Sequence, residues 1–311
     1  MKHYDIVCMG EILIDFSPDG RTDDGYARYI RNPGGAVVNV ASVFAKYGAK
    51  AGFIGKVGED LFGRYLHDYF SALGIDCSGI VFDRDFNTTL AFVSLDEKGN
   101  RDFAFYRRNE ADLKLRPDEL KTEMLSDTKL FHFGSLSMTA EPARSATLRA
   151  VELAAESGAV ISYDPNYRDS LWAGQDAASY MLDVLPYVDL LKVSAEEGEM
   201  MTGISDPAAC AEALTGMGPS FAAVTVGADG AYYSSALCGV GYVPAYPAKT
   251  IDTTGAGDTF FGTFLYEYAV KRLDLSDPAA VRAAVEKAVK AAGLSTEKKG
   301  AAPPIPFYEQ L

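Results

Sequence analysis

From residue 129 onward the chain repeats one pattern, a short apolar run followed by a stretch with helical spacing. KLFHFGSL precedes helical spacing over 141–157, AVISYDPN precedes 176–185, and DLLKVS precedes 207–217, after which FAAVTVG follows. These runs do not alternate apolar with polar residues, so both of their faces need cover. A parallel sheet with helices on either side supplies it. The first part of the chain reads alike. YDIVCMGEILI (4–14) and AGFIGKV (51–57) are expected buried strands, with helices over 36–47 and LFGRYLHDYFSALG. TTLAFVSLDEKGNRDFAFYRR (88–108) breaks the pattern: two extended runs flank DEKGN, a hairpin-type turn. A further short strand fits YARYIR. The expectation is one α/β domain over 1–311 with a small antiparallel sheet projecting from it. Phe92, Phe103 and Phe105 alternate with small or polar residues, as expected of one buried face of that small sheet.

Within this frame DTTGAGDTFF (252–261) is unusual. VPAYPAKTI leads into it as an expected strand, and Phe260, Phe264 and Tyr268 follow at helical spacing. Gly255, Ala256 and Gly257 then open a helix, where backbone N–H groups can converge on an anion. Asp258 would repel that anion unless it performs chemistry or holds a metal. Phosphoryl transfer uses such a division, with N–H groups stabilising charge and one carboxylate taking the proton of the attacking hydroxyl. A dinucleotide fingerprint does not fit, because the spacing is GxGxxxxG, and no Walker A sequence is present. A second glycine cluster, NPGGAVVNVA (32–41), enters a helix similarly. Gly34 and Gly35 permit close backbone approach, Asn39 can donate and accept toward a polyhydroxylated ligand, and Asp15 at a strand end can accept hydroxyls.

Charge narrows the partner. Lys plus Arg total 29 against 43 Asp plus Glu, a net charge of −14, with no basic block to follow a nucleic-acid backbone. Cys8, Cys77, Cys210 and Cys238 form no CxxC pair, which suits a reducing cytoplasm. No long apolar stretch suggests membrane insertion. His3, His67 and His132 lack metal spacing and are expected at the surface or half-buried, and Trp172 is expected in packing.

Taken together, GGAVVNVA with GKVGEDLFG (55–63) resembles the first signature of the ribokinase-type (PfkB-type) carbohydrate kinases, and DTTGAGDTFFG (252–262) resembles their second. The resemblance spans essentially the whole chain. It implies a three-layer sandwich with a mostly parallel central sheet, a β-sheet lid with strands within 12–32 and 88–108, and ATP and Mg²⁺ as cofactors. FYRRNEADLKL, SYDPNYRDSLW, VSAEEGEMMTG and TEKKGAAPPIP look most like fructokinases. The resemblance further implies Asp258 as base, Gly255, Ala256 and Gly257 as anion hole, and Asp15, Gly34, Gly35 and Asn39 as sugar contacts. Arg168 is implied near the sugar or the transferred phosphate. TVGADGA corresponds to the nucleotide loop, placing Thr225, Gly227 and Gly230 near ATP. Asp252 and Thr254 match positions that bind K⁺ in some relatives, and a homodimer through the lid is a family-level expectation.

Some positions depart from the pattern. Ser194 replaces the asparagine of an Asn-x-x-Glu metal motif, leaving Glu197 as the magnesium candidate. Ala36 replaces a lysine of ribokinase, which argues against ribose, and Val289 stands where many relatives carry asparagine near adenine. Tyr106 and Arg107 resemble a pair that reads the carboxylate of 2-keto-3-deoxygluconate in related kinases. The expectation is phosphorylation of D-fructose to fructose 6-phosphate. A 2-keto-3-deoxygluconate kinase and a non-catalytic sugar or nucleotide sensor remain open alternatives.

Overall fold

The computed structural model describes residues 2–95, 101–302 and 304–311, so the DEKGN turn (96–100) lies outside the described residues. In chain order the elements are β1 (Ile6–Met9), β2 (Leu13–Arg21), β3 (Ala27–Gly34), α1 (Ala36–Lys46), β4 (Ala51–Gly58), α2 (Leu61–Ala72), β5 (Ile75–Asp83), β6 (Leu90–Leu95), β7 (Arg101–Tyr106), α3 (Thr122–Ser126), β8 (Leu130–Gly134), α4 (Ala143–Glu156) and β9 (Val160–Asp164). They continue with α5 (Asp169–Trp172), α6 (Ala177–Asp183), β10 (Leu190–Ser194), α7 (Ala195–Thr202), α8 (Pro207–Thr215), β11 (Phe221–Thr225), β12 (Ala231–Ser235), β13 (Gly239–Val243), α9 (Ala256–Ala269) and α10 (Pro278–Ser295).

Among the described residues nine strands form one sheet in the order β13-β12-β11-β10-β9-β8-β1-β4-β5. Its pairings are parallel except for β11–β12 and β12–β13. Side-chain alternation splits the strands between two cores. Ile6 and Cys8 of β1 pack with Phe44 of α1, Phe264 of α9 and Val285 of α10, whereas Val7 and Met9 pack with Ala150 of α4 and Leu214 of α8. Three layers result. Chain order reverses between β1 and β8, and ligands of open α/β sheets collect outside the strand carboxyl ends at such a point.

The second sheet has the order β3-β2-β6-β7. It is mixed, in contrast to the expected antiparallel sheet: β2–β3 and β6–β7 are antiparallel, but β2 and β6 run parallel. The chain leaves β2, crosses the main sheet and returns in the same direction. Asp60 fastens that return. Its carboxylate caps α2 through the N–H groups of Phe62 and Gly63, and also accepts from the backbone and hydroxyl of Thr88, just before β6. The GEDLFG part of the first signature is therefore a tether for the second sheet.

Four further expectations change. The 4–14 segment is two strands in two different sheets, broken between Met9 and Leu13, not one buried strand. VPAYPAKTI is not a strand beyond Val243; Pro244 and Pro247 have no N–H to give a ladder. Phe92 and Phe105 do not share a face. Phe92 sits opposite Ala104 and Phe105 opposite Ala91, so they point to opposite sides of the second sheet. Phe92 stacks on Phe16 at 4.8 Å and meets Tyr29 and Tyr106 edge-on. Trp172 is buried and stacks on Tyr180, as expected of packing. His132, by contrast, is fully buried on β8, where Ser162 bonds it and burial pushes its pKa down to about 3.

Candidate active site

The 252–258 loop is built before any ligand arrives. Asp252 is buried, and its two oxygens accept the N–H groups of Thr254 (2.8 Å) and Gly300 (3.0 Å), pinning the loop to the 300 segment. Gly255 caps α9 with φ of 75°, a left-handed conformation natural to glycine, and a Cβ there would lie 2.8 Å from that of Ala301. The first N–H groups of α9 are thereby left without helical partners, at the positive end of its dipole.

Asp258 sits in the first turn of α9, buried, and accepts from Asn39 Nδ2 at 2.7 Å. Asn39 comes from α1, which packs against α9, so the pair is set by the contact of two long helices. Asn39 Oδ1 is buried with no partner among the described residues. That atom and the second oxygen of Asp258 are what a hydroxylated ligand can use.

Two cavities meet here. One of about 330 Å³ brings together Asp15, Gly35, Asn39, Arg168, Gly255 and Asp258. Gly34 lies beneath it: a Cβ there would fall 2.3 Å from Asp15 Oδ2, so glycine is what leaves room for that carboxylate. The other cavity, of about 530 Å³, joins Thr225, Gly227 and Gly230 to Ala256 and Gly257. Thr253 and Gly257 border both. A group passed from one cavity to the other crosses the start of α9, beside Asp258.

The electrostatics suit a proton acceptor. Burial pushes Asp258 up to about 6, opposed by the Asn39 hydrogen bond and by Lys192 and Arg168. Burial likewise raises Asp15 to about 7, with Arg168 pulling back. Lys192 lines the first cavity and bonds Asp164 at 3.0 Å. Burial disfavours its charge, but Asp164 and Glu197 outweigh that and hold it protonated. Glu11 also lines the cavity; burial raises it, and Oε1 accepts the Ala36 N–H at 2.8 Å.

Three sequence candidates stand elsewhere. Tyr106 is 62% exposed and its ring meets Phe92 on the far face of the second sheet; its neighbour Phe105 lines the cavity. Arg107 lines neither cavity. Nε donates to Asp112 at 2.6 Å, one terminal nitrogen to Thr139 and the other to the Leu136 carbonyl, so its fork is fully engaged inside the protein. Glu197 lines neither cavity either, and its oxygens accept the backbone N–H groups of Tyr167 (2.6 Å) and Ser194 (2.7 Å) in a capping box. Sequence reasoning missed Glu11, Phe105 and Lys192. Two of these had a signal: an acid inside the apolar YDIVCMGEILI and a lysine inside the apolar DLLKVS.

Comparison with known proteins decides the family. The model of the pfkB family of carbohydrate kinases matches residues 4–307. The chain belongs to that family. Among its relatives, probable fructokinase-4 of Arabidopsis thaliana is 40% identical, covering 98% of this chain and 95% of that protein. Fructokinase-1 of Oryza sativa subsp. japonica is also 40% identical, with 97% and 94% covered. Xylella fastidiosa fructokinase with bound ATP superimposes at a TM-score of 0.90 with 31% identity, covering 99% and 97%. A double mutant of Vibrio cholerae O395 fructokinase, bound to fructose, ADP and potassium ion, gives 0.88 and 30% identity, covering 100% and 98%. The chain is an ATP-dependent sugar kinase with the ribokinase-like fold.

Proposed function

We propose that this kinase phosphorylates free D-fructose at its C6 hydroxyl, and that Asp258, held by Asn39 where the two cavities meet, is the base. The Asn39–Asp258 pair at this junction carries the reading. Fructose occupies the smaller cavity, with hydroxyls on Asp15 and Asn39 and its primary hydroxyl at Asp258. Asp258 takes that hydroxyl's proton as the oxygen bonds to the γ-phosphorus and the bond to ADP breaks. The N–H groups of Gly255 and Gly257 and that of Ala256, which donates to the Thr253 carbonyl at 3.2 Å before ligand arrives, face the charge of the transferred group together with Lys192 and Arg168. Closure of the lid keeps water from the γ-phosphate.

The cavity's charge favours a neutral sugar over a keto-acid. Glu11, Asp15 and Asp258 line it against Arg168 and Lys192, and the guanidinium of Arg107 is engaged elsewhere. Magnesium fits as an ion carried on the ATP phosphates and reached through water, since Glu197 lines neither cavity and Asp164 is paired with Lys192. It would neutralise phosphate charge. The buried Asp252 and the neighbouring Thr254 would hold K⁺, stiffening the loop at α9. Tyr26, Tyr29 and Tyr106 stand exposed on the lid and support its use as a homodimer contact.

ADP release with Mg-ATP across fructose, 2-keto-3-deoxygluconate, ribose, tagatose and adenosine tests the substrate. Fructose is expected to give the highest kcat/KM. A faster acid sugar would overturn the assignment.

A further inference from the structure

Phe105 and Leu136 give the smaller cavity two of its apolar walls, one from β7 of the second sheet and the other from the segment after β8 of the main sheet. They belong to different sheets, so neither sheet's ladder sets the distance between them. Arg107 spans the gap. Alternation carries it to the side of Phe105, two residues earlier, and away from the exposed Tyr106. Its fork then reaches the main sheet: one terminal nitrogen donates to the Leu136 carbonyl at 2.8 Å and the other to the Thr139 hydroxyl at 3.0 Å, which itself donates to that carbonyl.

Asp112 orients the fork. One of its oxygens accepts Arg107 Nε at 2.6 Å, and the other accepts the hydroxyl of Thr89 at 2.5 Å, one residue before β6 begins. A single carboxylate therefore joins the start of β6, the end of β7 and, through the guanidinium, the segment that carries Leu136. Both side chains of the pair are almost wholly buried. Two buried charges lose their water, so such a pair adds little net stability over an apolar contact. What it adds is direction, because a planar guanidinium bonded along several edges has one orientation whereas apolar surfaces can slide.

We propose that Asp112 is a positioning residue for the sugar: through Arg107 it fixes Phe105 relative to Leu136 and so sets the width of the sugar cavity. Asp112 itself lines neither cavity. The inference rests on the kinase reading and adds to it a residue that acts on the sugar only through others.

The test is a double-mutant cycle of Asp112→Asn and Phe105→Ala in the whole enzyme, read as kcat/KM for fructose, KM for ATP and stability in denaturant. Asp112→Asn is expected to lower kcat/KM for fructose about 10- to 100-fold, chiefly through KM, with KM for ATP nearly unchanged. Because Asp112 acts through Phe105, the double variant is expected to be no poorer with fructose than Phe105→Ala alone. Arg107→Lys, which keeps the charge and loses the fork, enters the same cycle if Asp112→Asn does not fold. Losses that multiply, or an Asp112→Asn enzyme that is less stable yet handles fructose like the wild type, overturn the inference and leave the kinase reading intact. If the wild type turns over another sugar of the panel in place of fructose, the fructose assignment fails and the cycle is read with that sugar. If it turns over none, the kinase reading fails and this inference with it.

Discussion

Replacing Asp258 with asparagine should cripple the enzyme and stabilise it at the same time. The shape is conserved and asparagine can still accept from Asn39, but the base is gone, so turnover should fall roughly 100- to 10,000-fold. Stability follows from the raised pKa. With a folded value of about 6 against an ordinary 3.8, Asp258 contributes stability when protonated. That contribution is full below pH 3.8 and is lost as pH rises through 6. Between pH 5 and pH 8 the wild type should therefore lose about 1.4 kcal/mol that the variant does not lose. For a chain of this size that is a relative shift of about 2 °C in melting temperature. Removing the charge also relieves Asp15, on which Asp258 acts unfavourably, and this adds in the same direction. Calorimetric melts of both proteins without ligands at the two pH values read the effect. A variant that turns over normally, or whose stability relative to wild type is lower at pH 8 than at pH 5, would refute the reasoning.

Other substitutions separate the parts of the site. Gly34→Ala forces the Asp15 carboxylate to move, and should raise the KM for fructose about tenfold or more with the KM for ATP nearly unchanged; equal KM values would remove Asp15 from sugar binding. Arg107→Ala strands the buried Asp112 carboxylate and should cost about 3–5 kcal/mol in denaturant unfolding. Selective loss of keto-acid turnover in that variant, with stability unchanged, would restore Arg107 as a substrate contact. Exchanging K⁺ for a bulky organic cation at constant ionic strength should lower kcat; no change would remove Asp252 and Thr254 from cation binding.

Much of this was legible because each signature combines a local reason with a long-range one. GAGD specifies a helix start by its glycines, and α9 begins there with Gly255 as its cap and Asp258 in its first turn. What failed was register and direction. The strand period of two could not tell that Phe92 and Phe105 face opposite ways, because that depends on how two strands align across a turn. Nor could it show that β2 and β6 are parallel, since that depends on where the chain goes between them. Arg107 was expected to bind substrate because, with Tyr106, it resembles the carboxylate-reading pair of related kinases. Its engagement rests on Asp112, Thr139 and the Leu136 carbonyl, and the last two lie far along the chain. Val289 could be marked from the sequence, but the apolar wall it completes with Tyr246 appears only once β13 and α10 are packed.

The central claim is that Asp258 activates the primary hydroxyl at C6 of fructose. The most direct measurement is NMR of the product formed from Mg-ATP and carbon-labelled fructose, with Asp258→Asn run alongside. The account predicts phosphorus coupling at C6, one ADP for each fructose 6-phosphate, and almost no product from the variant. Phosphate on C1, or undiminished product from the variant, would contradict it.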